Sequence, residues 1–472
     1  MKNLKYTLLL VIAAFFGCSD LEELNENKNL PTEGIPSTVL PSAIFQGADN
    51  LLTANWRFTD QILQFHTVSD AFNFNRYDFT PGATSDLWDQ LYLTLGNTQV
   101  IIDNSQKAGS EAYLGAGYVL KAFYVAAITE LWIDAPMSDA GKGIEGVIQP
   151  SYDKQEAIYT EVLSLLNQAN TIFTTSPEFS QGGDVIYGGD VAKWQKFANS
   201  LRLRYLLRLS NVTSLDTPSQ IATILNNPSS NPIFESDADS AIYDFTGSSP
   251  SIAAILNLTS LADLTVMNEA YVDCLQPLGD PRLDFFARKP TSNPTGPHVG
   301  IESGILDPSN QRDDVSASRL DLFFDNPGLK DFAFITYSEV EFIRAEAALK
   351  TWTSENAQTH YEAAVTSSMA FWGLSVPANY FSNAEAMWND TLERLMKQKW
   401  ASFYNFNSIE AWGEYKRTEL PVLQPGPDNV TSGVVPTRFI YPLNEQSLNR
   451  SNYDAAVQNL GGYTNTIAHW YQ

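Results

Sequence analysis

The chain has 472 residues and a formal net charge of −25, with 54 acidic against 29 basic residues. Such a charge argues against nucleic acids and anionic lipid headgroups as partners, because both repel an acidic surface. Only two cysteines are present, Cys18 and Cys274, so disulfides do not organise the fold.

The N-terminus has the pattern of a bacterial secretion signal. Two lysines precede a short apolar run (6–16), which is too short to span a bilayer, and Gly17 is a small residue at the cleavage position. Cys18 follows at once, and its position resembles that of the lipidated cysteine in bacterial lipoproteins. We predict a signal peptide over 1–17, followed by a lipid anchor on Cys18 and an acidic tether over 18–35. The alternative is an ordinary signal peptide with a chance cysteine.

The polar stretch ELNENKN (23–29) offers oxygen ligands at alternate positions. It lacks the glycine and the terminal glutamate of a calcium loop, so we interpret it as a flexible tether. The four histidines also lack the spacing of metal ligands. We therefore predict neither a metal site nor a cofactor.

Four pairs of helices are predicted from apolar residues at helical spacing. They cover 85–106 with 110–131, 153–175 with 190–210, 338–350 with 354–372, and 384–404 with 408–417. The predicted N-caps are Ser110, Asp153, Asp190, Ser338 and Ser354. Helical hairpins of this length resemble tetratricopeptide units. The loop-rich stretches 211–330 and 418–464 predict a second, irregular layer on this mainly α scaffold.

The helix predicted over 190–210 is basic in an otherwise acidic chain. Its predicted buried face consists of Trp194, Phe197, Leu201 and Leu209, and five basic residues (Lys193, Lys196, Arg202, Arg204 and Arg208) occupy the rest. We predict that these cations pair with carboxylates of neighbouring helices, for example in TYSEVEFIRAE (336–346). An anion-binding site is the alternative. Glu410, Trp412, Lys416 and Arg417 are predicted to be structural as well.

Several long segments resemble the SusD/RagB family of nutrient-binding outer-membrane lipoproteins, in its SusD-like branch. They include WQKFANSLRLRYLLRLS (194–210), FITYSEVEFIRAEAAL (334–349) and QKWASFYNFNSIEAWGEYKRTELP (398–421). The resemblance follows nearly the whole chain in order. It implies one SusD-like domain over 36–472 with four tetratricopeptide-like pairs, anchored by lipid to the outer membrane at the cell surface.

The resemblance also implies a function without catalysis. Members of the family bind oligosaccharides, or in some cases peptides, and pass them to a TonB-dependent transporter of the SusC type. A surface glycan hydrolase is the less favoured alternative. The sequence leaves it open, because a glycosidase needs only two well-placed carboxylates and the chain has many acidic residues. No HExxH motif or phosphate loop is present to support another enzyme class.

Candidate ligand residues lie in the aromatic stretch DAFNFNRYDFTPG (70–82). Its alternation predicts a half-buried strand with the even-numbered aromatics facing the core and Tyr77 outside. The functional interpretation is an aromatic face that stacks on a sugar ring or an apolar peptide side chain. The predicted ligand-binding residues are Phe72, Phe74, Asn75, Arg76 and Tyr77, together with His298 in a later loop.

Overall fold

The computed structural model describes residues 34–68, 73–255, 265–305, 316–320 and 331–472. The predicted signal peptide and Cys18 lie outside the described residues. From Pro36 to Gln472 the chain forms one unit, and helices make up most of its regular structure.

The first helix, α1, was not predicted. It covers Pro36–Ala54 and continues through a π-helical turn, Asn55–Thr59, and a last turn, Asp60–Ile62. Leu40, Ile44, Ala48 and Leu51 recur at helical spacing and are buried. Gly47 lets α1 approach the third helix closely, because a Cβ at this position would overlap the Tyr124 side chain.

Thirteen further helices are described. They are α2 (Ser85–Ala108), α3 (Glu111–Trp132), α4 (Gln155–Phe173), α5 (Val191–Arg208), α6 (Thr217–Asn226), α7 (Glu269–Leu275), α8 (Pro281–Phe286), α9 (Tyr337–Leu349), α10 (Ala357–Ala370), α11 (Leu392–Ser402), α12 (Ser408–Thr418), α13 (Leu443–Leu448) and α14 (Arg450–Asn459). Short 3₁₀ turns lie between several of them.

The long helices follow one another in the four predicted pairs, α2–α3, α4–α5, α9–α10 and α11–α12. The members of the first three pairs pack directly against each other, and α3 also packs on α4. An ion pair between Lys399 and Glu414 joins the fourth pair. By length and composition alone α3 could cross a membrane. In the fold, however, 83% of its most apolar 18-residue stretch is buried.

The capping predictions had mixed outcomes. Asp190 caps α5 as predicted, because its carboxylate accepts hydrogen bonds from the N–H groups of Ala192 and Lys193. The capping role predicted for Asp153 is wrong, since its carboxylate instead accepts hydrogen bonds from the 137–138 turn. Ser338 is also not a cap, because Thr336 caps α9 and the Ser338 hydroxyl donates to the carbonyl of Ala364. Ser110 occupies the N-cap position of α3 but makes no side-chain hydrogen bond there. The cap of α10 is Asn356 and not the predicted Ser354.

The predicted irregular layer contains short regular elements. Two antiparallel two-stranded sheets link distant parts of the chain: β1 (His66–Val68) pairs with β3 (Thr265–Met267), and β2 (Ala241–Tyr243) pairs with β4 (Phe332–Ile335). Both sheets lie beside the helical layer, and β4 packs on α1 and α5. Cys274 in α7 is buried and free.

Ten charged side chains are buried where α3, α5, α9, α11 and α12 meet. We call them the charge cluster: Glu130, Arg204, Arg208, Glu339, Glu346, Lys399, Glu410, Glu414, Lys416 and Arg417. Each is at most 6% exposed. Five positive and five negative groups make the cluster neutral in sum, which is the condition under which charges can be buried.

Bidentate and shared contacts hold the charge cluster together. Arg204 binds both carboxylate oxygens of Glu339, at 2.5 and 2.6 Å. Arg417 binds Glu346 in the same way, at 2.7 Å for each oxygen. Arg208 contacts three carboxylates, those of Glu130, Glu410 and Glu414. The prediction that the basic helix pairs with carboxylates is confirmed for Arg204 and Arg208.

Glu130 is the acceptor at the centre of the charge cluster. Its carboxylate pairs with Arg208 and Lys416, each at 2.7 Å, and accepts hydrogen bonds from the hydroxyl groups of Tyr159 and Tyr471. Burial raises the pKa of Glu130, but the neighbouring cations outweigh burial and hold the pKa well below its ordinary value. Glu130 is therefore charged at neutral pH.

Glu410→Gln provides a pH-dependent test of the charge cluster. Burial is the largest effect on the pKa of Glu410 and raises it from 4.5 to about 7, although Arg208 and Arg204 lower it. A carboxyl group with a raised pKa in the folded state stabilises the fold below pH 4.5, and this contribution is lost as the pH rises to about 7. We expect the stability of the parent protein relative to Glu410→Gln to fall by about 1.4 kcal/mol per pH unit across this window.

Urea unfolding of both proteins across the same pH range measures this difference. A difference in unfolding free energy that does not change with pH would show that Glu410 keeps its ordinary pKa.

Candidate functional site

A surface cavity of about 480 Å³ lies between the end of α1 and the first turns of α2. Ala83 and Ala254 close its remaining sides, and Phe58 and Leu87 form an apolar floor. The polar lining consists of Asp49, Asn50, Thr53, Arg57, Asp86 and Gln90. An apolar floor with a few fixed polar groups is typical of small-molecule sites.

Three other cavities fit a ligand site less well. A cavity of about 330 Å³ lies in the core and is lined by members of the charge cluster, whose charges are already paired. The cavity of about 870 Å³ between α2 and α4 has no aromatic residue in its lining. In the cavity of about 530 Å³ beside β2, the serine hydroxyls already bond within the protein.

Aromatic packing fixes the floor of the site. Phe58 is 3% exposed, and its ring packs edge to face on Phe74 and Phe439, with centroids 4.7 and 5.6 Å apart. The Arg57 guanidinium lies 5.3 Å from the centre of the Phe58 ring, within the range of a cation–π contact. The floor is therefore rigid, and Phe74 supports it from behind.

Asp49 provides a half-buried carboxylate in the wall. Its Oδ1 accepts a hydrogen bond of 2.6 Å from the N–H of Ala254. Burial raises the pKa of Asp49, and the hydrogen bond from Ala254 partly offsets this effect. The hydroxyl oxygen of Thr53, one helical turn further along α1, is buried in the cavity wall and has no hydrogen-bond partner within the described part of the chain.

Asp86 and Gln90 are exposed on the opposite wall, at the start of α2. A carboxylate in the first turn is favoured by the helix dipole. Together these groups present acceptors and donors to the cavity from two different helices. Nowhere within the described ranges do three or more His, Cys, Asp or Glu side chains form a group that could hold a metal ion.

The segment 73–77 lies beside the cavity, but most of its side chains face the core. It forms a 3₁₀ turn, Asn73–Arg76, so the predicted strand is wrong. The prediction that Tyr77 is outside is also wrong: Tyr77 is 1% exposed, and its hydroxyl donates to the carbonyl of Ile62. The turn produces this result, because Tyr77 adopts a positive φ of 63° that reverses the chain.

Asn75 and Arg76 from the same turn bond within the protein. Asn75 is buried, and its amide donates to the Thr67 hydroxyl at 2.7 Å. Half-buried Arg76 donates from Nε to the carbonyl of Asp428 at 3.0 Å. Phe72 lies outside the described residues, and its role stays a prediction.

His298 is buried away from this cavity and joins two loops. Its Nε2 lies 2.8 Å from Asp284 Oδ1, and its Nδ1 lies 3.1 Å from the Ser318 hydroxyl. It does not line the cavity. These contacts give His298 a structural position, and a direct role in binding would require the loops to open.

Sequence reasoning missed the residues that line the cavity. Asp49, Thr53 and Arg57 lie on α1, which was not predicted because Pro41 interrupts its pattern near the start. The apolar spacing from Leu40 to Leu51 was the available signal. Asp86 and Gln90 lie on a helix that was predicted, but nothing in their spacing distinguishes them from other exposed polar residues.

Comparison with known proteins is consistent with this architecture. A family model described as "Starch-binding associating with outer membrane", SusD-like, matches residues 28–442. A solved chitin-binding protein is 25% identical, with a TM-score of 0.79 over 93% of this chain and 99% of its own. No curated protein sequence matches the chain.

Two further structures share the fold. A SusD homologue from Bacteroides fragilis is 20% identical, with a TM-score of 0.80 over 92% of this chain and 99% of its own. A chitin-binding SusD homologue from Flavobacterium johnsoniae is 21% identical, with a TM-score of 0.77 over 92% of this chain and 98% of its own. The protein belongs to the SusD-like family.

Proposed function

We propose that this protein captures oligosaccharides at the cell surface and delivers them, chemically unchanged, to a SusC-type TonB-dependent transporter. The family match over residues 28–442 carries the proposal. The chitin-binding relative at 25% identity favours a glycan over a peptide as the ligand. The cavity between α1 and α2 is the proposed capture site.

The cavity has the chemistry that a sugar requires. Its apolar floor suits the C–H face of a pyranose ring, while Asp49, Asp86 and Gln90 can bond the hydroxyl groups around the ring.

Ala83→Trp tests the site by filling the cavity. Ala83 lies outside the helices, so a large side chain there can project into the cavity without disrupting helix packing. We expect affinity for N-acetylglucosamine oligomers to fall by about 2 kcal/mol or more, a loss comparable to that of one well-packed contact, with no change in thermal stability. Isothermal titration measures the affinity.

Ala140→Trp is the matched control, since Ala140 lines the cavity of about 870 Å³ between α2 and α4. Equal losses in both variants, or no loss in Ala83→Trp, would place the capture site elsewhere. The same samples distinguish capture from hydrolysis. Release of reducing ends that disappears in Asp49→Asn or Asp86→Asn would instead support a hydrolase that uses two carboxylates.

The anchor and the transporter can be tested together. In cells that lack the transporter, Cys18→Ala should move the protein from the membrane fraction to the soluble fraction, since a lipid chain is then its only proposed link to the membrane. Extraction of the parent protein in mild detergent should recover a large barrel protein with it. Membrane association that survives Cys18→Ala would contradict lipid anchoring, and recovery of the parent protein alone would contradict the partnership.

A further inference from the structure

A π-helical turn, Asn55–Thr59, lies at the wall of the proposed capture site. The N–H of Asp60 donates to the carbonyl of Asn55, five residues earlier, which is one residue further than in an α-helix. Arg57 and Phe58 lie in the middle of this turn, and both line the cavity. Single π-helical turns within α-helices are rare, and they are frequently found at functional sites.

Side chains bond two backbone carbonyls of the turn. The Nε2 of His66 lies 3.1 Å from the carbonyl oxygen of Trp56, and because a carbonyl only accepts, this nitrogen carries the proton. Burial lowers the pKa of His66 to about 3, although the bond to Trp56 partly offsets this effect, so the ring is neutral. The amide of Gln61 donates to the carbonyl of Arg57 at 2.7 Å. Both carbonyls therefore have a side-chain partner, as buried carbonyls require.

The start of α12 holds both ends of the turn. The hydroxyl oxygens of Thr59 and Ser408 lie 2.5 Å apart. The N–H of Ile409 donates to Oδ1 of Asn55 at 3.2 Å. All four residues are buried, where such contacts specify a single arrangement of the backbone. The two residues that line the cavity lie between the two ends that are held.

We propose that Asn55, Thr59 and His66 are positioning residues for oligosaccharide binding, which hold the π-helical turn in the arrangement that directs Arg57 and Phe58 to the ligand. This inference rests on the proposed function. The π-helical pattern is not the intrinsic preference of a chain, so contacts from outside the turn must select it. Without them the turn relaxes toward the α-helical pattern, and its side chains rotate about the helix axis.

Thr59→Val tests the contact that holds the end of the turn. Valine keeps the shape of threonine but not the hydroxyl contact with Ser408, and neither residue lines the cavity. We expect the affinity for N-acetylglucosamine oligomers to fall about fivefold, the loss typical of one buried hydrogen bond. His66→Phe, which keeps a ring but not the donor to Trp56, should lower the affinity similarly. Isothermal titration of each folded variant measures the affinity.

Conservative and control variants distinguish positioning from general stability. Thr59→Ser keeps the hydroxyl group and should bind as tightly as the parent protein. Ser408→Ala should weaken binding as Thr59→Val does, and combining the two should add little, because both remove the same contact. Ser338→Ala is the matched control, since it removes a buried hydroxyl bond to the carbonyl of Ala364 outside the cavity lining. It should lower stability and leave affinity unchanged.

The outcomes separate the inference from the function on which it rests. If the oligomers bind and Ala83→Trp prevents binding, but Thr59→Val and His66→Phe bind as tightly as the parent protein, the inference is overturned and the proposed function stands. Equal losses of affinity in Thr59→Val and Ser338→Ala would also overturn the inference, because stability alone would then account for them. If the parent protein binds no oligomer, both fail.

Discussion

Arg208→Met should lower the free energy of unfolding by about 4 kcal/mol, the largest single effect that we expect in this protein. The guanidinium of Arg208 is fully buried and contacts Glu130, Glu410 and Glu414. Burial lowers the pKa of Arg208, but these carboxylates outweigh burial and raise the pKa well above its ordinary value. Methionine fills a similar space and leaves the three carboxylates without their shared cation.

Denaturant unfolding monitored by circular dichroism measures the loss. Arg450→Met is the matched control, because Arg450 forms an exposed pair with Asp454 and such pairs contribute little. Adding Glu410→Gln to Arg208→Met should recover part of the stability, since it removes one of the uncompensated charges. A loss no larger than that of the control would show that water or rearrangement compensates the buried carboxylates.

Gly413→Ala should destabilise the protein by about 3 kcal/mol, although alanine is the better helix former. Gly413 is in α12, and a Cβ there would overlap the guanidinium of Arg208. This group cannot move aside without breaking its ion pairs with the three carboxylates. The added methyl group therefore strains the charge cluster as well as the local packing.

Gly96→Ala in α2 is the comparison for Gly413→Ala, because no atom lies within 4 Å of a Cβ at that position. It should leave stability unchanged or raise it slightly, as helix propensity predicts. Thermal unfolding of both variants gives the result. Equal behaviour would mean that Arg208 has room to move, and hence that the ion pairs do not hold it rigidly.

The helical scaffold could be predicted because its signals are local. Asp190 directly precedes α5 and caps its N-terminus. Trp194, Phe197 and Leu201 within α5 are buried at helical spacing. Long segments also carried the family resemblance. The pairing of Arg204 and Arg208 with carboxylates followed from charge alone, because buried cations need partners of opposite charge.

The site could not be predicted in detail because its residues depend on tertiary contacts. Alternation in 70–82 indicated a strand, but Tyr77 turns inward at a positive φ and its hydroxyl bonds to Ile62. Tyr77→Ala is therefore expected to destabilise the fold, whereas the sequence placed Tyr77 among the ligand-binding residues. Asp49 and Asp86 are far apart in sequence and meet only because α1 packs on α2.

The neutral charge cluster also limits how this sequence can evolve. A single replacement at one of its positions leaves a buried charge without a counterpart, whereas replacing an acid and its basic partner together can cost little. Related folds at 20–25% identity show how far chains of this fold can differ overall. The contacts within the charge cluster make its ten positions mutually dependent, so we expect substitutions there to be tolerated best in compensating groups.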